Sequence, residues 1–194
     1  QDHKFAQVIL PTGAGKSFLI KETEITQTLL STDDDLQIID PQNETQNVCA
    51  MYGGLFLDFT PKSDIHINPM EVPLSLFKAG TKKDRELFIA DVTKWATSFT
   101  EAIMKKIVYT QEHSNFIEQA VQNVYDKVFS RNNLIQPTIK DVRKELMILE
   151  DNNENAHDKK IIHEMVNCLY SYTDGVYDMF AYPSDVDIST YRLV

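Results

Sequence analysis

Thr12-Gly13-Ala14-Gly15-Lys16-Ser17 carries the residue types that grip a chain of phosphates. The glycines let the backbone curl so that successive N–H groups point inward, and a helix starting at the end of the loop adds positive potential. Lys16 supplies a point charge for the β- and γ-phosphates, and the Ser17 hydroxyl can sit on Mg²⁺. An apolar run, Phe5 to Leu10, precedes the loop, and a helix-like stretch, Phe18 to Leu30, follows it. Strand, glycine loop and helix is the context in which this pattern binds ATP with Mg²⁺. Leu10 stands where the pattern usually opens with glycine, and Pro11 lies between, so the first turn of the loop is atypical. The nucleotide-binding candidates are Thr12, Gly13, Ala14, Gly15, Lys16, Ser17 and Phe18, with Lys16 also acting on the transferred phosphate and Ser17 as the metal ligand.

A phosphate cradle does not hydrolyse ATP by itself; a carboxylate must hold Mg²⁺ and activate water. Nowhere in the chain do four apolar residues run into Asp-Glu. The nearest approach is Leu36-Gln37-Ile38-Ile39-Asp40, which lacks the second acid. Asp40 ends an expected strand, where α/β sheets place their ligands. It is a catalytic candidate near Mg²⁺ or the attacking water, or else it caps the loop containing Pro41. Glu44 is a second catalytic candidate, or a solvated loop acid or helix N-terminal charge. Asp33-Asp34-Asp35 lacks the ligand spacing of a calcium loop and reads as a solvated turn. His3, His66, His113, His157 and His163 form no H-E-x-x-H or triad pattern and read as surface or helix-packing residues. Cys49 and Cys168, far apart and without metal-ligand spacing, read as reduced, buried thiols.

The elements that must position these residues divide the chain in two. Over the first seventy residues strand and helix alternate: strands are expected at Phe5–Leu10, Leu36–Asp40, Leu55–Phe59 and Ile65–Asn68, with a short helix from Gln46 to Met51 ended by Gly53-Gly54. Units of this length predict a parallel sheet with right-handed crossovers. After Pro73 only helical periodicity remains. Phe88, Val92, Trp95, Phe99 and Ile103 mark one amphipathic helix; Ile117, Val121, Val124 and Val128 the next. Pro137-Thr138 opens a third, with Thr138 and Asp141 as a capping-box start. Ile161, Ile162, Met165, Val166 and Leu169 mark a fourth. Glu150 to Asn155 reads as a surface loop, and Val186 to Val194 as a return to strand. Trp95 and Phe99 are either core or a partner-docking face.

Composition excludes several classes. Hydrophobic residues at 42% and charged residues at 25% are ordinary globular values, which sets disorder aside. No apolar stretch approaches the roughly 20 residues needed to span a bilayer. The net charge of −10 is not evenly placed: 4 Lys stand against 10 acids in residues 1–70, 14 basic against 17 acidic in 71–182, and one against two in 183–194. No basic stripe of the kind that neutralises DNA phosphates is evident, so direct nucleic-acid binding is not expected.

Taken in order, the glycine loop through Phe18 with Lys21-Glu22, Asp33-Asp34-Asp35, Ile38-Ile39-Asp40-Pro41-Gln42-Asn43-Glu44, Tyr52-Gly53-Gly54, Leu57-Asp58-Phe59 and Ile67-Asn68-Pro69 resembles the VirB4/TraE family, the conjugation ATPases of type IV secretion systems. Thr110-Gln111-Glu112-His113 and Ala181-Tyr182-Pro183-Ser184 look like its Gram-positive conjugative-element members. The resemblance covers essentially the whole chain. It implies an α/β fold, a partial RecA-like P-loop NTPase parallel sheet with an inserted all-α lobe: 1–73 as the first part of the core, 74–182 as the lobe, 183–194 as the return strand. Gly13, Gly15, Lys16 and Ser17 match the family's Walker A positions, and Asp40 and Glu44 its acidic positions after the second strand. ATP and Mg²⁺ are the implied cofactors. Members are cytoplasmic, associate peripherally with the inner face of the cell membrane through partners, work with other secretion components, and assemble as dimers or hexamers. The Walker B carboxylates, sensor and arginine finger are expected beyond Val194, so the chain reads as an ATP-binding fragment that is inactive alone. A small-molecule P-loop kinase is disfavoured, because the helical segment has no arginine-rich lid. The alternative from another class is a nucleotide-regulated, non-catalytic interaction module, in which the α lobe binds other components and nucleotide biases its orientation.

Overall fold

The computed structural model describes residues 25–58, 60 and 65–194. The glycine loop and the strand expected at 5–10 lie outside the described residues. The chain divides into two compact units, Gln1–Asp58 with Asp187–Val194, and Phe59–Val186.

In the first unit the described elements are α1 (Thr26–Ser31), α2 (Gln46–Met51) and a 3-10 turn (Ile188–Thr190). The end of α2 follows from its glycines. Gly53 adopts φ +66°, and its N–H reaches the Ala50 carbonyl at 3.3 Å while that of Gly54 reaches Cys49 at 2.8 Å. This is the paired C-terminal motif that satisfies the last carbonyls of a helix and that a left-handed glycine permits. Ile25, Cys49 and Leu193 form a small buried core, with Leu29, Leu36, Val48, Tyr52 and Phe56 packed around it. The chain end is stitched in by backbone hydrogen bonds: Leu36 N–H to Arg192 O (2.7 Å), Val194 N–H to Leu36 O (3.0 Å), Ile38 N–H to Val194 O (2.8 Å) and Leu55 N–H to Leu193 O (2.8 Å).

These contacts correct the expected fold class. The RecA-like parallel sheet is not there: among the described residues the elements are helical, and the one β-feature is an isolated parallel bridge between Leu36 and Leu193. The segments 55–58 and 65–68, read as strands, run without regular pairing. The physical reason lies in what the apolar runs face. A parallel strand is buried on both sides, yet Ile39 is 95% exposed, and the turn at Asp40-Pro41 ends the pairing after Ile38.

The second unit is a helical bundle of α3 (Leu74–Ala79), α4 (Lys82–Ile103), α5 (Gln111–Phe129), α6 (Ile139–Asn152) and α7 (Ala156–Thr173), closed by a 3-10 turn (Asp178–Phe180). Its helix starts are written locally. Thr81 with Asp84, Thr110 with His113 and Thr138 with Asp141 form reciprocal capping boxes, and the Asn155 side chain accepts from His157 N–H. Central α5 buries Ile117, Ala120, Val121, Val124, Tyr125 and Val128 and packs against α4, α6 and α7. Those helices return Val92 and Ala96, Val142 and Leu146, and Ile162, Met165 and Leu169 to the same core. The segment 65–73 is tied across the bundle by polar contacts. Tyr125 donates its hydroxyl to Met70 O at 2.7 Å, the Gln136 amide exchanges two hydrogen bonds with Val72 (2.8 and 3.0 Å), and Asn68 donates to Pro137 O at 2.8 Å.

The expected loop from Glu150 to Asn155 is shorter than the sequence suggested. Helix α6 continues to Asn152, because Glu150 is held by His163 of α7 (Nδ1 to Oε1, 2.9 Å) and joins the α6–α7 packing. Trp95 stacks on Phe99 at 5.2 Å, and Phe180 and Tyr172 meet that pair edge-on, so these aromatics are half-buried members of the bundle. Among the described residues no helix is long and apolar enough to cross a membrane.

Candidate functional site

The described part of the candidate site is the turn that carries Asp40 and Glu44 into α2. Asp40 Oδ2 accepts from the Thr45 N–H (2.7 Å) and the Thr45 hydroxyl (2.6 Å), and Oδ1 accepts from Gln42 N–H (3.2 Å). This is an Asx-type turn: a short acidic side chain stands in for backbone acceptors as the chain bends past Pro41. Asn43 accommodates the bend at φ +55°, a conformation asparagine tolerates better than most residues. Thr45 is the N-cap of α2, but its side chain makes no cap hydrogen bond, because its hydroxyl is spent on Asp40.

Those donors also set the charge state. The Thr45 hydroxyl, then the Thr45 N–H, hold the Asp40 carboxyl below the usual carboxylate range; partial burial opposes them, and the Gln42 and Glu44 N–H groups add to them. A carboxylate offers about four acceptor positions, and here the loop's own donors take at least three. A depressed pKa also makes a weak proton acceptor, whereas a general base is tuned upward toward the working pH. What this arrangement does chemically is fix the turn with a carboxylate that keeps its charge to a lower pH than an ordinary one.

Glu44 is exposed on the same turn. It shares the loop with Asp40, but no contact joins the two side chains among the described residues. The Asp33–Asp35 run is exposed, and its backbone is held by Arg192, whose guanidinium donates to Leu29 O (3.3 Å), Thr32 O (2.6 Å) and Asp34 O (3.0 Å). An arginine there satisfies the open carbonyls at the C-terminus of α1 and sits at the negative end of its dipole. Thr12, Gly13, Ala14, Gly15, Lys16, Ser17 and Phe18 lie outside the described residues, so no geometry relates them to Asp40. Among the described residues no group of three or more His, Cys, Asp or Glu side chains is arranged to hold a metal ion. Cys49 and Cys168 are free thiols, pushed up in pKa by burial and, for Cys168, also by the nearby Glu164.

Two of the residues that organise this region are not obvious from the sequence. Thr45 could have been found, as a threonine immediately before a helical run and five positions after an Asp-Pro turn. Arg192 gives no local signal, because its partners are some 160 positions away. Neither family models, curated proteins nor solved structures gives a match to this chain.

Proposed function

We propose that this chain is the ATP-binding part of a conjugative transfer ATPase of the VirB4/TraE kind. The observation that carries the reading is the motif Thr12-Gly13-Ala14-Gly15-Lys16-Ser17 with Phe18 following it. In this reading the loop amides and Lys16 stabilise charge on the β- and γ-phosphates, and Ser17 positions Mg²⁺. In the full-length protein hydrolysis of the β–γ bond drives DNA or protein transfer. Carboxylates supplied elsewhere would activate the water, and an arginine from a neighbouring subunit would complete the site of a dimer or hexamer. The protein acts in the cytoplasm, at the inner face of the membrane, through other secretion components. The acidic balance supports partner-mediated rather than direct contact with nucleic acid.

The test is titration of the 194-residue chain with a fluorescent ATP analogue in Mg²⁺. Binding is expected, with loss of at least about tenfold in affinity, about 1.4 kcal/mol, in Lys16→Ala, and with little or no hydrolysis. Absence of binding at millimolar nucleotide would sink the nucleotide reading. Robust turnover abolished by Lys16→Ala would sink the inactive-fragment reading. A second reading is favoured by one observation, the engagement of Asp40 by its own loop. Here the chain is a nucleotide-regulated, non-catalytic interaction module, in which Asp40 and Glu44 shape the turn and take no part in chemistry. ATP turnover by the full-length protein discriminates the two: hydrolysis that Lys16→Ala abolishes is expected under the first reading, and nucleotide binding without hydrolysis under the second.

A further inference from the structure

We infer that the outer face of α6 pairs with the same face of a second copy of this chain, antiparallel and across a twofold axis. The inward face of α6 buries Ile139, Val142, Glu145 and Leu146. The opposite face carries Lys144, Met147, Ile148 and Asp151, spaced i, i+3, i+4 and i+7, so that they form one stripe. Met147 and Ile148 are 43% and 46% exposed and stand together at its centre. Single exposed apolar residues are commonplace; the charges on either side single this pair out.

Those charges run against the helix dipole. Acids stabilise a helix at its N-terminus and bases at its C-terminus, yet the last turn of α6 holds Glu150 and Asp151 and no base. Glu150 is offset by His163. Asp151 is exposed and has no partner among the described residues. At the other end Lys144 is 68% exposed and makes one loose contact with Asp141 at 3.4 Å. A second α6 laid antiparallel, with the axis between Met147 and Ile148, places Met147 of one copy against Ile148 of the other. It also places Lys144 against Asp151, twice by symmetry. Such a face is self-complementary, the condition for a closed twofold dimer. One helix pair is a small interface, so the dimer is a weak, reversible one. It needs no nucleotide, so its fate is separate from that of the proposed ATP site.

The experiment is sedimentation equilibrium of the full 194-residue chain without nucleotide, from micromolar to millimolar concentration at low salt. A monomer–dimer equilibrium is expected. Ile148→Glu abolishes it, and Lys144→Glu weakens it by about tenfold through two lost pairs and two new repulsions. Adding Asp151→Lys to Lys144→Glu restores it, with helix content by circular dichroism unchanged throughout. A chain that stays monomeric at every concentration overturns the proposal. So does a dimer indifferent to Ile148→Glu, or one that the double charge reversal fails to rescue.

Discussion

A side chain that holds a turn and one that performs chemistry are told apart by what occupies their lone pairs, and Asp40 is a case in point. The Thr45 hydroxyl and N–H and the Gln42 N–H converge on it. Asp40→Ala is therefore expected to destabilise the turn that leads into α2 by about 1 kcal/mol, the usual net contribution of an intramolecular hydrogen bond. Faster hydrogen exchange at the Thr45 amide would report it; unchanged exchange there would argue that these bonds are idle. The sign of the pH effect follows from the lowered pKa. An unfolded aspartate titrates near about 3.9, so the contribution of Asp40 is complete above that value. It is lost as the pH falls through the lower folded value. A carboxyl-carbon NMR titration should place the Asp40 midpoint below the unfolded aspartate value.

The elements differ in how openly the sequence announces them. Long helices did so well: apolar residues recurring over 82–103, 111–129 and 156–173 define faces that do go inward, and Thr138 with Asp141 marked the start of α6. Short apolar runs did not, because a run such as Leu36–Ile39 has the same composition whether it joins a sheet or makes a single bridge. What decides is a partner strand on each side, and pairing partners are non-local. Of the candidate site, the Asp40-to-Glu44 turn was legible from Pro41 and the acids, while the donors that fix its state were not. Gly54 shows how tight the alternative to a sheet is. A Cβ built there would lie 2.8 Å from Cys49 Sγ and 2.9 Å from Leu193 Cβ. Gly54→Val should push Leu193 out of the small core at a cost of about 1–3 kcal/mol, in the range for overpacking. Leu193→Ala keeps its Cβ but removes Cγ, which also lies 2.9 Å from the added Cβ. Gly54→Val with Leu193→Ala should therefore recover part of that loss, which thermal melts of the two variants would test. No recovery would mean that the clash is not with the Leu193 atoms beyond Cβ.

At the scale of the whole molecule, the helical unit is closed by its own ends. His66 N–H and Nδ1 both meet Asp185 Oδ2, at 2.9 and 2.7 Å, and Asp185 N–H returns to His66 O at 3.1 Å. The His66 ring also lies edge-on to Tyr182, over which Lys140 sits 3.9 Å from the ring centre. The imidazole first, and the His66 N–H second, hold the Asp185 carboxyl below its ordinary range. This clasp is thus complete above the unfolded aspartate value and is released as the pH falls through the folded one. Asp185→Ala should speed hydrogen exchange at residues 66–68 and leave the α5 amides protected; loss of protection in α5 would refute a local role. Residues 65–186 alone should keep their helical circular dichroism and melt cooperatively, as a unit with its own core does; a non-cooperative melt would refute that independence. Because the two ends leave the bundle side by side, such a segment can be spliced into a tight turn of an unrelated host without prising the host apart. Closing a loop whose ends already touch costs the host little chain entropy. The helical unit is, in that sense, a transplantable cassette.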